Sequence, residues 1–345
     1  MPRIRISGLS SRIRESNAIF ALALGFFGTG FCDPVQARII KFDPPGSTDT
    51  APIAINASGW ITGIYLDSNG GAPQSFLRVP DGTITTIDVP GATCGTYANG
   101  INSGGVIVGG DAAQNGNYCY GDGFIRAVDG TITIFDVAGA VSTAAASINN
   151  AGVITGTYFD SSRDGHGFIR ATDGTFTSFD PPGSTDTGPA SINKSGVVAG
   201  SYEDSNKAYH GFVRATNGTI TTFDVPNATS TYVAGLNDSG EVAGYYTQGQ
   251  STFGFVRMTD GTITTIDPDG SNDVLAYGIN NDGAVTGYYQ TDIAHGFIRS
   301  ADGKITTFDV KGSLGTAPSA IDAKGAITGG FADVNEMGHG FLRTP

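Results

Sequence analysis

Apolar and polar residues alternate along this chain in short runs, and the runs recur as a block. Ser191 to Asp224 reads SINKSGVVAGSYEDSNKAYHGFVRATNGTITTFD and contains four such runs, rich in Thr, Val, Ile, Phe and Tyr. β-Branched and aromatic residues in short alternating stretches bounded by Gly, Asn and Asp predict strands. The dipeptide Phe/Ile-Asp marks the end of each block at Asp43, Asp88, Asp136, Asp180, Asp224, Asp267 and Asp309, at intervals of 45, 48, 44, 44, 43 and 42 residues. Self-similarity at this period signals a repeat architecture built from one supersecondary unit.

Two connections within each block are tight: Ile-Asn-x-x-Gly, and an Asp-Gly or Asn-Gly hairpin such as Asp173-Gly174 and Asn217-Gly218. Asn and Gly accept the positive φ that such turns need. The other two connections, Asp-x-Pro-Gly and the loop before Gly-Phe-x-Arg, are longer and variable. Strand direction alternates, so both tight turns fall at one end and both long loops at the other. Four strands per block of about 44 residues, seven times over, predict an all-β, seven-bladed β-propeller of four-stranded antiparallel blades. The repeats run over about 51–88, 97–136, 144–180, 188–224, 232–267, 274–309 and 317–345. The last block stops at Gly340-Phe341-Leu342-Arg343 without its Phe-Asp strand, whereas residues 38–43 supply one, Arg38-Ile-Ile-Lys-Phe-Asp43. The N-terminal strand is therefore expected to be the outer strand of the last blade and to close the ring, leaving no open sheet edge between the chain ends.

Four blocks carry His before Gly-Phe: His166-Gly167-Phe168, His210-Gly211-Phe212, His295-Gly296-Phe297 and His339-Gly340-Phe341. In this the chain resembles the extracellular HAF repeats, named for a His-Ala-Phe signature, over nearly all of residues 38–345. It departs from them in having Gly for Ala, and Gln74, Asp122 and Phe253 in place of His. The resemblance implies a secreted propeller module and no common reaction.

Gly reaches 52 of 345 residues and the formal charge is −13. So much Gly, Asp, Thr and Ser disfavours long helices, and the acidic balance excludes a nucleic-acid partner. Residues 1–37 form a signal-peptide pattern: Arg3, Arg5, Arg12 and Arg14 precede the apolar run Ala18 to Phe31, with small residues before Ala37. Its removal leaves no other stretch apolar enough to span a membrane, so a secreted or periplasmic protein is expected.

Chemistry is harder to place. Equivalent His residues on neighbouring blades stand too far apart to share a metal ion, which must sit about 2 Å from each ligand. Counting through the hairpin instead sets His166 beside Asp180, His210 beside Asp224, His295 beside Asp309 and His339 beside Asp43, a structural repeat element. No cofactor is called for; calcium is the functional reading of the repeated Asp residues, set against turns in which they accept loop amides. Cys94 and Cys119 both fall in long loops of the second block and are expected to form a disulfide. No Gly-x-Ser-x-Gly and no unique His appear, so a Ser-His centre finds no support. Tyr97, Tyr120, Tyr232 and Tyr277 break the repeat at the long-loop end, and tyrosine rings suit stacking on sugars or small ligands. The function expected is a ligand-, glycan- or protein-binding module acting through the long-loop face. A polysaccharide lyase or hydrolase at the channel mouth is the alternative.

Overall fold

The computed structural model describes residues 37–345 except 116–117, 269–270 and 272; residues 1–36, which hold the expected signal peptide, lie outside the described residues. The described chain is all-β. In the fourth unit, Ser184–Ile192 pairs with Val198–Asp204, that strand with Tyr209–Arg214, and that with Ile220–Phe223, every pair antiparallel. The same order repeats through the chain as β-propeller sheets, with the third and fourth sheets touching edgewise at Gly165 and Asp186. In the last unit the fourth strand is Arg38–Phe42, which pairs antiparallel with Gly338–Thr344 in a register that sets Phe42 against Gly340.

Packing between the sheets explains the repeat's invariant-looking letters. The phenylalanines Phe76, Phe124, Phe168, Phe212, Phe255, Phe297 and Phe341, six after Gly and Phe76 after Ser75, are all fully buried. Each hydrophobic cluster joins two neighbouring units; Phe223, Val225 and Ala199 of the fourth, for instance, pack with Val233, Val242 and Phe255 of the fifth. The first and last units meet in the same way, Phe42 and Leu342 packing with Ile55, Ile61 and Phe76, while Ser319 Oγ donates to Pro52 O at 2.7 Å. The Gly-Phe-x-Arg arginines reach across the same interfaces. Arg78, Arg214, Arg257 and Arg343 lie 4.8–5.0 Å from the rings of Phe42, Phe179, Phe223 and Phe308, the aromatic residues of the preceding Phe-Asp strands. A guanidinium over a ring face gains about 0.5–2 kcal/mol according to its desolvation.

At the tight-turn end, each Ile-Asn asparagine ties its own turn and the next. Asn193 Oδ1 accepts the amides of Ser195 and Val197, both at 3.0 Å, and its Nδ2 donates to Asn237 O at 3.2 Å. The inner strands carry a β-bulge just before this motif, at Ile53, Asn99, Ala146, Ala190, Ala234, Tyr277 and Ser319. Bulges re-aim the side chains near them, and Tyr277 is the one ring among the seven.

Candidate functional site

The outward half of the long-loop end is organised by the four histidines. His166 Nδ1 lies 2.7 Å from Asp180 Oδ2, His210 Nδ1 2.9 Å from Asp224, His295 Nδ1 2.9 Å from Asp309 and His339 Nδ1 2.8 Å from Asp43. The opposite nitrogen faces the loop: His166, His210 and His339 Nε2 stand 3.5–3.8 Å from Asp160, Asp204 and Asp333, and His295 Nε2 bonds Thr291. An aromatic ring of the second strand, Tyr158, Tyr202, Tyr289 or Phe331, packs on each imidazole at 5.0–5.3 Å. Every histidine is thus held on both nitrogens and one face within its own unit.

The acids of these clamps divide into two kinds. Asp160, Asp204 and Asp333 cap their loops; Asp204 Oδ1, for example, accepts the amides of Asn206 and Ala208 at 2.8 and 2.9 Å. In all three, loop amide bonds are the leading cause that holds the carboxyl below its usual range. The Phe-Asp carboxylates behave differently from the amide-accepting turns expected of them. Asp180 accepts from the hydroxyl of Thr187 at 2.6 Å, and Asp136 from that of Thr143. The loop amide goes to the threonine instead, Val137 N donating to Thr143 Oγ1 at 3.2 Å and Val225 N to Thr231 Oγ1 at 3.1 Å. Thr143, a buried threonine of the third unit's inner strand, thus stands between the Asp136 carboxylate and the loop amide.

The second unit departs from this plan. Asp122 replaces histidine opposite Asp136, and its amide donates to Asp111 Oδ1 at 2.6 Å. Burial, then repulsion from Asp136 and Asp111, raises the Asp122 carboxyl; burial likewise raises Asp111. Cys94 and Cys119 are disulfide-bonded with Cα atoms 6.1 Å apart. Cys119, expected in a loop, stands on an additional short strand, Tyr118–Tyr120, that pairs with the end of Ile107–Asn115.

The four candidate tyrosines separate into two places. Tyr97 belongs to the disulfide unit, its hydroxyl donating to Cys94 O at 3.0 Å, and burial pushes its phenol above the usual range. Tyr120 receives a bond from Arg163 Nη2 at 3.0 Å. Tyr232 and Tyr277 instead fall into one line of rings that crosses three units. Tyr209 meets Tyr232 at 4.9 Å between centroids, Tyr232 stacks on Tyr245 at 4.9 Å, Tyr245 meets Tyr277 edge-on at 6.2 Å, and Tyr277 meets Tyr288 at 6.0 Å. All five are half-buried. Tyr232 and Tyr245 are cross-strand partners, which fixes their stack.

Tyr245 and Tyr288 were not singled out by the sequence pattern. Their signal was present: six second strands carry an aromatic two residues after their glycine, Tyr65, Tyr158, Tyr202, Tyr246, Tyr289 and Phe331, but Tyr245 and Tyr288 add another directly after it. The other units have Ile64, Gly110, Thr157, Ser201 and Gly330 at that place.

No protein-family model matches this sequence, and no curated protein does. Solved structures do resemble the fold. A virginiamycin B lyase from Staphylococcus aureus, solved in catalytically inactive form with quinupristin, shares 14% identity over 90% of this chain and 100% of that one, with a TM-score of 0.56. The β-propeller domain of the Trilobed protease from Pyrococcus furiosus, described as having an open velcro topology, shares 10% identity over 85% and 95% at a TM-score of 0.61. TolB from Acinetobacter baumannii shares 13% over 72% and 63% at 0.53. At such identities the likeness establishes the propeller fold. Among the described residues no helix is long and apolar enough to cross a membrane, and the disulfide is consistent with an extracytoplasmic protein.

Proposed function

We propose that this protein is an exported, HAF-type propeller that binds a glycan or small ligand through the tyrosine line at its long-loop face. The observation that carries the reading is the line itself: Tyr209, Tyr232, Tyr245, Tyr277 and Tyr288 in unbroken ring contact. Packing alone does not call for large rings here, because the other units fill the Tyr245 position with residues as small as glycine. Half-buried tyrosines present rigid apolar faces with polar tips, the combination that stacks on sugar rings and hydrogen-bonds their hydroxyls. Tyr97 and Tyr120 stand outside the line, bonded to Cys94 O and Arg163.

The test is a melting-temperature screen against oligosaccharides and polysaccharides, since a ligand that binds the folded state raises its stability by mass action. Tyr232→Ala and Tyr245→Ala should each weaken the response to any hit, while Tyr97→Ala should leave it largely intact. Equal responses from all three variants would remove the line from the site. A second reading, a secreted lyase or hydrolase, draws on Asp111 and Asp122, two adjacent carboxyls raised by burial; raised carboxyls suit general acid work. Mass spectrometry of the same mixtures separates the two readings, because new product masses require the second.

A further inference from the structure

At the opposite end of the channel from the tyrosines, the seven turns after the inner strands, five Ile-Asn together with Leu236-Asn237 and Ile321-Asp322, enclose a cavity of about 250 Å³. Six links run around it from amide to carbonyl. Asn56 Nδ2 donates to Asn102 O, Asn102 to Asn149, Asn149 to Asn193, Asn193 to Asn237, Asn237 to Asn280 and Asn280 to Asp322, at 2.9–3.3 Å. The seventh link, from Asp322 to Asn56, lacks its donor. Asp322 keeps the turn-forming bonds of its counterparts, Oδ1 accepting the amides of Lys324 and Ala326 at 2.8 Å. Its second oxygen has no hydrogen-bond partner among the described residues, although the residue is 95% buried by its 5% exposure and lines the cavity. Asn56 O is likewise short of a partner: it accepts from Gly59 N at 2.8 Å but receives no neighbouring amide.

Two acceptors thus occupy a link where six others pair a donor with an acceptor, and the Asp322 carboxylate faces the cavity. The charged residues lining the cavity are Lys194, Asp238 and Asp322. Lys194 Nζ lies 3.6 Å from Asp238 Oδ2, so these two offset one another. Asp322 is left as the unbalanced charge. We propose that Asp322 and the Asn56 carbonyl hold a hard cation of the calcium type at this end of the channel. Carboxylate and carbonyl oxygens are the ligands such cations take, and water in the cavity completes their coordination. The site is independent of the tyrosine line and of any ligand bound there.

Terbium tests it, because the ion takes oxygen ligands and emits when a nearby aromatic ring is excited. Trp60, the single tryptophan, belongs to the Asn56 turn, its amide donating to Asn56 Oδ1 at 3.0 Å. The purified protein should show saturable, tryptophan-sensitised terbium emission that excess calcium suppresses. Asp322→Asn restores the residue of the other six turns, so it should fold, melt higher in calcium-free buffer and lose the emission. Absence of emission from the parent protein overturns the proposal, as does emission from Asp322→Asn equal to that of the parent.

Discussion

The imidazole of His339 stands 2.8 Å from the carboxylate of Asp43, a residue 296 positions earlier in the chain. The pair reproduces at the chain ends the contact that the three other histidine-bearing units make within 14 residues. It therefore places the N-terminal strand as a working member of the last sheet. Removing residues 38–43 should strip the partner strand from Gly338–Thr344 and take Phe42 out of its contacts with Phe76 and Arg78. Phe42→Ala alone should cost about 3–5 kcal/mol, the range for deleting a buried aromatic. Asp43→Asn should cost about 1 kcal/mol, as one partly exposed hydrogen bond does. Chemical denaturation of the three variants checks the order, and a deletion no worse than Asp43→Asn would contradict the strand's role.

His166 should make a contribution to stability that falls as pH rises through neutrality. Burial depresses the imidazole's proton affinity, but the bond to Asp180 and the charges of Asp180 and Asp160 outweigh it, and the net shift is upward from 6.5. A group that binds its proton more tightly when folded stabilises the protein below its unfolded pKa. That contribution fades as pH climbs through the folded value. The advantage in melting temperature of the parent over His166→Gln should therefore decline on going from about pH 6.5 upward. A difference that rises over this range would refute the assignment.

Much of the fold was legible because each unit restates it. The pairing of His166 with Asp180 followed from counting residues through a hairpin, since antiparallel register is an arithmetic property of turn length, and that of His339 with Asp43 from carrying the same register over to the N-terminal strand. The tyrosine line was only half visible. Tyr232 and Tyr277 break the repeat on inner strands, but their joining through Tyr245 depends on how adjacent sheets face one another. The bulge at Tyr277 adds a displacement that no alternation pattern records. The threonines were missed for a related reason: Thr187 is seven residues from Asp180 and meets it across a link between two units.

The disulfide offers a third test, confined to the second unit. Cys94 and Cys119 close a loop with a sequence separation of 25 and pin the additional strand Tyr118–Tyr120 to the start of the inner strand. Loop-closure entropy for that length corresponds to about 3.5 kcal/mol. Replacing both cysteines by serine should lower the unfolding free energy by about that amount. Hydrogen exchange should show the loosening in residues near the disulfide and leave the fifth and sixth units protected. Uniform loosening across all units would mean that the ring, and not the loop, depends on the bond.

The sharpest packing prediction lies at Gly200, on the second strand of the fourth unit. Pro189 of the inner strand is its cross-strand partner. A Cβ at Gly200 would come 2.3 Å from Gly188 O and 2.7 Å from Pro189 Cα, with the ring of Phe212 2.9 Å away on its outer side. Backbone atoms on one flank and a fully buried ring on the other leave nowhere to relax, and glycine stands here in every unit, from Gly63 to Gly329. Gly188 makes a close control. A Cβ there meets Ser201 O at an ordinary 3.5 Å, and the first and last units already carry Ala51 and Ala317 at that place. Gly200→Ala should destabilise by about 1–3 kcal/mol or more, the range for overpacking a close-packed interior. Gly188→Ala should stay within about 0.5 kcal/mol of the parent, as substitutions away from such constraints do. Both values come from one set of denaturation curves; equal effects would mean that the inner two strands are not held at the spacing described.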